Sequence, residues 1–117
     1  MSGTAVAIKT VLHPVSDLAK AKAVYAALLG VQPQTDGSYY VGFDVAGQHI
    51  GLVPGGGPQG MTAPVAYWHV ADLDAKLAEV TAAGATVKEP AHDVGGGRLV
   101  ATVTDPDGNV LGLLQDR

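Results

Sequence analysis

The side chains best suited to acid–base or metal chemistry in this sequence are four histidines, because the chain contains no cysteine. They are His13, His49, His69 and His92. A neutral imidazole both donates and accepts a hydrogen bond and changes charge near neutral pH, so each could transfer a proton or bind a metal. The lack of cysteine excludes disulfides, thiolate metal sites and a cysteine nucleophile.

His69 has the position that most favours contact with a ligand. It ends the strand-like segment "VAYWHV", two residues after Tyr67. Side chains two residues apart on a strand point to the same face, so His69 and Tyr67 share a face and Trp68 lies on the other. The alternative is a histidine that is satisfied by a neighbouring backbone group and touches no ligand.

The other histidines have plainer predictions. For His13 and His49 the sequence favours a hydrogen-bonded place at a sheet edge, and for His92 an exposed loop. A two-histidine site with His69 and a carboxylate such as Asp44 would add a divalent metal as cofactor, but no characteristic ligand spacing supports it.

The elements that must position these residues come in two similar series. Residues 6–13 predict a strand, followed by a helix that Ser16 or Asp17 caps and Gly30 ends. Residues 39–45 and 48–53 then predict a hairpin with a tight turn at Ala46-Gly47. The second half repeats the order, with "VAYWHV" as a strand, a helix that ends at Gly84, and a closing hairpin. Segments 31–34 and 85–90 predict a short second strand in each series.

The repeat is clearest in "DVAGQHIGL", residues 44–52, and "DPDGNVLGL", residues 105–113. It predicts two βαβββ units, unit one over residues 5–53 and unit two over residues 64–116, with a linker over residues 54–63. At 117 residues the chain is long enough for one compact domain and too short for two independent ones. We therefore expect a single domain over residues 1–117, of the α+β class, whose mixed sheet is cupped and carries its helices on the outer face.

Composition excludes several classes of function. Hydrophobic residues make up 47% of the chain and charged residues 15%, as expected for a folded globule. The net charge is −4, without a cluster of Lys or Arg, which argues against nucleic acid as a partner. Neither a membrane span nor a signal peptide is visible, so we expect no membrane partner and a cytoplasmic location.

Alternation along the predicted strands assigns side chains to the inside of the cup, a natural site for a small molecule. Comparison of the first hairpin with the second favours Tyr39, Val41 and Phe43 on that side. Arg98 could reach over the rim to pair with an acidic ligand, or remain a solvated charge. The other residues predicted to face the cup are Thr10, Leu12, Gly51, Val53, Val65, Tyr67, His69, Gly112 and Leu114.

Two of these motifs resemble the vicinal oxygen chelate superfamily, which includes glyoxalases, bleomycin-resistance proteins and extradiol dioxygenases. "VSDLAKAKAVYAALLGV" is similar to the family's entry from strand to helix, and "DPDGNVLGL" to its closing turn and strand. The resemblance covers essentially the whole chain. It implies the fold more firmly than the function, because this fold carries several chemistries.

The resemblance also implies where a metal would bind. In metal-dependent members one ligand lies on the first strand of each unit, which corresponds to Thr10 and Val65. A glutamate lies in each closing strand, which corresponds to Gly51 and Gly112. None of the four is a strong ligand for Zn, Ni, Fe or Mn. We therefore expect no metal cofactor and none of the usual Lewis-acid chemistry.

Two functions follow from these observations. The first is a binding protein that encloses a small apolar or aromatic molecule in a metal-free cup, by sequestration as in the resistance branch of the resembled family. The second is an enzyme of the same fold, a lyase, isomerase or dioxygenase, with an atypical metal site or acid–base catalysis around His69. Because members of the family commonly dimerise, the expected partners are a small-molecule ligand and a second copy of the chain.

Overall fold

A computed structural model describes residues 6–56 and 60–116 of the chain. Its described residues form two compact units, one of Lys9–Val65 and one of residues 66–116 together with residues 6–8. The first residue of the predicted unit one, residue 5, lies outside the described part. So do residues 57–59 of the predicted linker.

The first unit has the order strand, helix and three strands. Its elements are β1 (Ala7–Val15), α1 (Leu18–Leu29), β2 (Thr35–Asp36), β3 (Val41–Val45) and β4 (Gln48–Pro54). The strands lie in the order β2-β3-β4-β1. β1 runs parallel to β4, whereas β3 is antiparallel to both β2 and β4.

The second unit repeats this order. Its elements are β5 (Val65–His69), α2 (Leu73–Ala82), β6 (Thr86–Asp93), β7 (Leu99–Thr104) and β8 (Val110–Gln115). The strands lie in the order β5-β8-β7-β6, with β5 parallel to β8 and the other neighbours antiparallel. The predicted α+β class and the two βαβββ units, each with a mixed sheet, are confirmed.

An aspartate, the residue just before the first helical residue, caps the N-terminus of each helix. The Asp17 carboxylate accepts a hydrogen bond from the backbone N–H of Lys20, and the Asp72 carboxylate accepts one from that of Ala75, both at 3.1 Å. Each satisfies one of the N–H groups that a helix N-terminus leaves without a partner. Gly30 ends α1 in the left-handed conformation, with φ 72°.

Each unit buries one apolar cluster between its helix and one face of its sheet. Val41, Phe43 and Leu52 form the centre of the first cluster, against which α1 packs. Leu73, Ala101 and Leu113 belong to the centre of the second, which also holds Trp68. These clusters fix which face of each sheet meets the helix. The opposite face of each sheet, free of the helix, is its helix-free face.

The two hairpins differ in the length of their turns, two residues in the first and five in the second. In the first, Val45 pairs with Gln48, so that Ala46 and Gly47 alone form the turn, with φ 53° and 76°. In the second, Thr104 pairs with Val110 and the turn comprises residues 105–109. Hydrogen bonds from Asn109 to the Asp105 carboxylate stabilise this longer turn and hold the pKa of Asp105 below its ordinary value.

Three local predictions need correction. The second strand of the first unit is Thr35–Asp36 rather than residues 31–34. That of the second unit extends through Asp93. His92 therefore lies in a strand instead of an exposed loop, and it is half-buried, with Nδ1 2.9 Å from the carbonyl oxygen of Pro90. No helix in the described ranges is long and apolar enough to cross a membrane.

Candidate functional site

The helix-free face of the first unit is set by strand register. Leu12 of β1 pairs with Gly51 of β4, and Gly51 pairs with Gly42 of β3. Directly paired residues point to the same face, so these three lie together on the face opposite the cluster of Phe43 and Leu52. Thr10 and Val53 follow by alternation. The predicted facing of Thr10, Leu12, Gly51 and Val53 is confirmed.

The predicted facing of Phe43 and Val41 is wrong. Both side chains lie in the apolar cluster beneath α1, where Phe43 is fully buried. Tyr39 does not line the sheet either, since 86% of it is exposed. The physical reason is the different turn. Gly51 pairs with Gly42, nine residues earlier, whereas Gly112 pairs with Thr102, ten residues earlier, so β3 is shifted by one residue relative to β7 and its two faces are exchanged. Tyr40, the residue next to Tyr39, lies on the helix-free face instead.

The ring of Tyr40 occupies the space that a side chain at Gly51 would need. A Cβ atom on Gly51 would lie 2.6 Å from Leu12 Cδ2 and 2.8 Å from Tyr40 Cζ, with the phenol oxygen closer still. At Gly42 a Cβ atom would lie 2.7 Å from Cε1 of His49. Such distances are far below van der Waals contact. The two glycines therefore make room for the tyrosine and the histidine.

Tyr40, His49 and Asp44 form a hydrogen-bonded chain on this face. The Tyr40 hydroxyl is hydrogen-bonded to Nε2 of His49, and Nδ1 of His49 lies 2.6 Å from Oδ1 of Asp44. The Tyr40 and His49 rings stack, with centroids 5.9 Å apart. Gln34 helps to hold Asp44, the last member of this hydrogen-bonded chain, because its side-chain oxygen accepts a 2.6 Å hydrogen bond from the Asp44 backbone N–H. The arrangement resembles a proton relay.

In the second unit a tyrosine again covers a glycine. Tyr67 pairs with Gly112, and a Cβ atom on Gly112 would lie 2.5 Å from Cδ2 of the Tyr67 ring. Tyr67 is 4% exposed. Burial, followed by the nearby charge of Glu89, raises the pKa of the Tyr67 phenol above its ordinary value. This ring therefore stays protonated over the whole neutral range.

Polar groups continue the row of Tyr67 and Gly112 across the sheet. Gly112 pairs with Thr102, and Thr102 pairs with Glu89. Thr102 is 6% exposed, and its hydroxyl oxygen is buried without a hydrogen-bond partner in the structure. A buried hydroxyl without a partner costs about 1–3 kcal/mol.

His69, the last residue of β5, lies beside the carboxylate of Asp116. Its Nδ1 atom is 3.4 Å from Oδ2 of Asp116, and the other oxygen of Asp116 is 2.7 Å from Nε of Arg98. The guanidinium of Arg98 thus pairs with a carboxylate of the chain itself, and its pairing with an acidic ligand stays a prediction. The structure brings His69 and Arg98 to one carboxylate, which the sequence did not indicate.

The remaining predicted site residues lie on strands and are mostly buried. Tyr67 and Gly112 lie on the helix-free face of the second unit, and Leu114 follows by alternation. Thr10 and Val65 are each 5% exposed. His13 lies on the helix side, where its ring is 5.3 Å from that of Tyr25, and burial lowers its pKa.

The metal positions implied by the resemblance do not fit a metal. Val65 has no donor atom, Thr10 offers a buried hydroxyl, and a tyrosine ring fills the space beside each of Gly51 and Gly112. Within residues 6–56 and 60–116, no three side chains of His, Cys, Asp or Glu lie close enough to hold a metal ion. The polar groups on the helix-free faces of the two units are phenol, imidazole and hydroxyl groups, which suit hydrogen bonding and proton transfer.

Sequence reasoning missed the part that Tyr40 plays. The signal that could have revealed it is the two-residue turn, because Ala46-Gly47 fixes the pairing of His49 with Asp44. Alternation over the four residues from Asp44 back to Tyr40 then places Tyr40 on the face of Gly42 and Asp44.

Comparison with known proteins matches nearly the full length of the chain to one family. The family model described as "Glyoxalase/Bleomycin resistance protein/Dioxygenase superfamily" matches residues 7–113. Among curated proteins, "Putative glyoxylase CFP32" of Mycobacterium tuberculosis is 38% identical over 68 residues. That match covers 56% of this chain and 26% of the relative, so it spans about a quarter of the relative's length.

Solved structures with a similar fold include proteins of low sequence identity. The hypothetical protein BH1468 from Bacillus halodurans has a TM-score of 0.80 at 11% identity, over 97% of this chain and 96% of its own. The Mn(II)-bound glyoxalase from Novosphingobium aromaticivorans has a TM-score of 0.70 at 22% identity, over 93% of this chain and 38% of its own. These likenesses concern the fold alone.

Proposed function

This chain belongs to the Glyoxalase/Bleomycin resistance protein/Dioxygenase superfamily, and on that premise we propose that it binds a small apolar or aromatic molecule without a metal. One observation carries the proposal: tyrosine rings fill the space beside Gly51 and Gly112, the positions that correspond to the metal-binding glutamates. An aromatic ring offers an apolar surface with one polar tip, which suits an aromatic ligand better than a cation. The proposed ligand-binding residues remain those predicted from the sequence, with Tyr40 in place of Tyr39, Val41 and Phe43.

The test combines metal analysis with thermal unfolding of the full chain. After purification and dialysis against EDTA, the protein is screened with aromatic, peptidic and dicarbonyl compounds. A specific ligand raises the melting temperature by mass action, with about 2.7 kcal/mol of added stability at a hundredfold excess over Kd. We expect an aromatic compound to raise it equally before and after EDTA treatment.

A variant pair connects binding to the helix-free face. Tyr40→Leu removes the ring beside Gly51 and should reduce the ligand-induced shift, whereas Tyr39→Leu removes an exposed ring and should leave the shift unchanged. Stoichiometric divalent metal that survives dialysis and is lost in His69→Ala would overturn the proposal. A flat response to every compound class would also count against it.

An enzymatic function around His69 is the second candidate. The observation that favours it is the carboxylate of Asp116 held between His69 and Arg98, since a carboxylate beside an imidazole can orient it for proton transfer. Chemical conversion of a bound compound, lost in His69→Ala while binding persists, would favour this candidate over simple sequestration. "Glyoxylase" in the name of the curated relative makes dicarbonyl compounds the first class to test.

A further inference from the structure

The chain of Tyr40, His49 and Asp44 has a direction. An ionised carboxylate only accepts hydrogen bonds, so Nδ1 of His49 donates to Asp44 across 2.6 Å. In the neutral imidazole Nε2 then carries the lone pair and accepts the hydrogen bond of the Tyr40 hydroxyl. The phenol therefore points its proton at a base, and that base is oriented by a carboxylate.

Solvent reaches the hydrogen-bonded chain of Tyr40, His49 and Asp44 most readily at Asp44. The Tyr40 and His49 side chains are half-buried, with 24% of the His49 side chain exposed, while that of Asp44 is 62% exposed. Leu12 lies against the same position over Gly51 and supplies an apolar surface next to the phenol. A ligand that reaches Tyr40 thus meets an apolar wall and one polar group.

We propose that Tyr40, His49 and Asp44 form a proton-transfer site that binds a weakly acidic hydroxyl group, of the phenol or enol type, on an apolar ligand. This inference rests on the proposed metal-free binding function and names its ligand class. Tyr40 contacts the ligand, His49 holds the transferred proton, and Asp44 is a positioning residue.

The step is a pure proton transfer. The O–H bond of the ligand breaks, its proton moves to the Tyr40 oxygen, and the proton of Tyr40 passes to Nε2 of His49. The ligand keeps the electron pair and, as an anion, accepts a hydrogen bond from the restored Tyr40 hydroxyl. The imidazolium pairs with Asp44, so the total charge is unchanged and no co-reactant is needed.

Acidity selects the ligand class. Proton transfer is most effective between groups of similar pKa, and imidazole is close to activated phenols and enols in this respect. A carboxylic acid has already lost its proton at neutral pH and would be repelled by the Asp44 carboxylate. An aliphatic alcohol holds its proton too tightly for an imidazole to remove.

The experiment uses para-cyanophenol, which is mostly un-ionised in neutral solution and whose ultraviolet spectrum differs between phenol and phenolate. Difference spectra are recorded as the full chain is titrated into the probe at neutral pH. We expect binding together with the phenolate band. The methyl ether, para-cyanoanisole, has the same ring without the acidic proton. It cannot become an anion and so cannot accept the stronger hydrogen bond that an anion receives from Tyr40. We therefore expect it to bind about 10- to 100-fold more weakly.

Variants separate the roles of the three residues. Tyr40→Phe should remove the phenolate band and weaken probe binding by about tenfold or more. His49→Gln can still accept from Tyr40 but cannot hold the proton, so the probe should bind without the phenolate band. Asp44→Asn should lower the bound phenolate fraction. Tyr39→Phe, a neighbouring exposed tyrosine, should behave like the unchanged chain.

Three results would overturn the proposal in distinguishable ways. If the phenol and the ether bind equally well, metal-free binding stands and the proton-transfer site is wrong. If the phenolate band persists in His49→Gln, another group accepts the proton. If neither probe binds while other compound classes raise the melting temperature, phenols are the wrong ligand class.

A second measurement does not depend on whether variants fold. Nitrogen NMR of the unchanged protein, labelled at its histidines, reports which ring nitrogen of His49 carries hydrogen. We expect the Nδ1–H form at neutral pH, with a shift of the Nε2 signal on addition of para-cyanophenol. An Nε2–H form in the free protein would contradict the direction of the chain and with it the proposal.

Discussion

Gly51 and Gly112 matter because each lacks the atom that would collide with a tyrosine. The two rings reach their glycines differently: Tyr40 comes from the residue before β3 of the same hairpin, and Tyr67 from β5, the neighbouring parallel strand. The glycines are thus matched to tyrosines already in place. A carboxylate at either position would require the ring to move.

We predict that Gly112→Ala destabilises the protein by about 1–3 kcal/mol, the usual cost of forcing an extra methyl group into a packed site. The new Cβ atom would lie 2.5 Å from the ring of Tyr67, which is buried and has little room to shift. Denaturant unfolding monitored by fluorescence measures the change. Gly37→Ala is the matched control, because its Cβ atom would meet its nearest neighbour at 3.4 Å. Equal stability of the two variants would show that the ring yields freely.

At the scale of elements, the repeated motif predicted the closing strands correctly and one hairpin partner incorrectly. Alternation counted from Gly51 and Gly112 assigns the side chains of β4 and β8 to the correct faces, since neither strand is interrupted. Counting backwards through the turns fails, because the turns differ in length: Gly51 pairs with Gly42, nine residues earlier, whereas Gly112 pairs with Thr102, ten residues earlier. A shift of one residue moves every side chain of a strand to the other face, which is why Phe43 was misplaced.

What lay beyond prediction from one sequence is the set of contacts between side chains from different strands. The capping Asp17 and the end of α1 at Gly30 follow from local pattern, and the structure has them where the pattern indicates. The end of α2 is less exact, since the helix stops at Ala82, before the predicted Gly84. The contact of Tyr40 with His49 depends on register and on two glycines in adjacent strands. The partner of His69, Asp116, comes from a distant segment and carries no local signal.

We predict that Ala46→Asn stabilises the first hairpin by about 0.5–1 kcal/mol. Ala46 has a φ of 53°, a left-handed conformation that costs alanine energy but that asparagine adopts more readily. The change also creates the Asn-Gly pair preferred in two-residue hairpin turns. Thermal and denaturant unfolding measure it.

The substitution Gly47→Ala should change the stability of the protein in the opposite direction. Its φ is 76°, and a Cβ atom there would meet nothing within 4 Å, so any loss of stability arises from backbone conformation. We expect destabilisation by about 1 kcal/mol. Stabilisation of both variants, or of neither, would mean that the turn does not keep this geometry in solution.

At the scale of the whole molecule, two units of one architecture carry different side chains in corresponding places. The first unit has the chain of Tyr40, His49 and Asp44 on its helix-free face, and the second has the row of Tyr67, Thr102 and Glu89. A repeated scaffold therefore does not imply a repeated chemistry. Function in this family has to be argued from the site, because the fold is compatible with many sites.

The number of chains in the functional particle can be measured directly. We expect a homodimer in solution, because members of the family commonly pair. Without cysteine the pairing must be noncovalent. A stable interface takes roughly 800 Å² from each chain, about an eighth of the 6715 Å² of accessible surface. Exposed apolar side chains are present for such an interface, among them Val24 and Leu28, one turn apart on α1 and 63% and 75% exposed.

Light scattering coupled to size exclusion measures the particle mass directly. The expected result is twice the chain mass of 11.8 kDa, with a shift toward the single-chain mass on dilution, since noncovalent association follows mass action. A particle of one chain mass at every concentration would contradict the dimer. It would leave the proton-transfer site of Tyr40, His49 and Asp44 unaffected, because all three residues come from one hairpin of one chain.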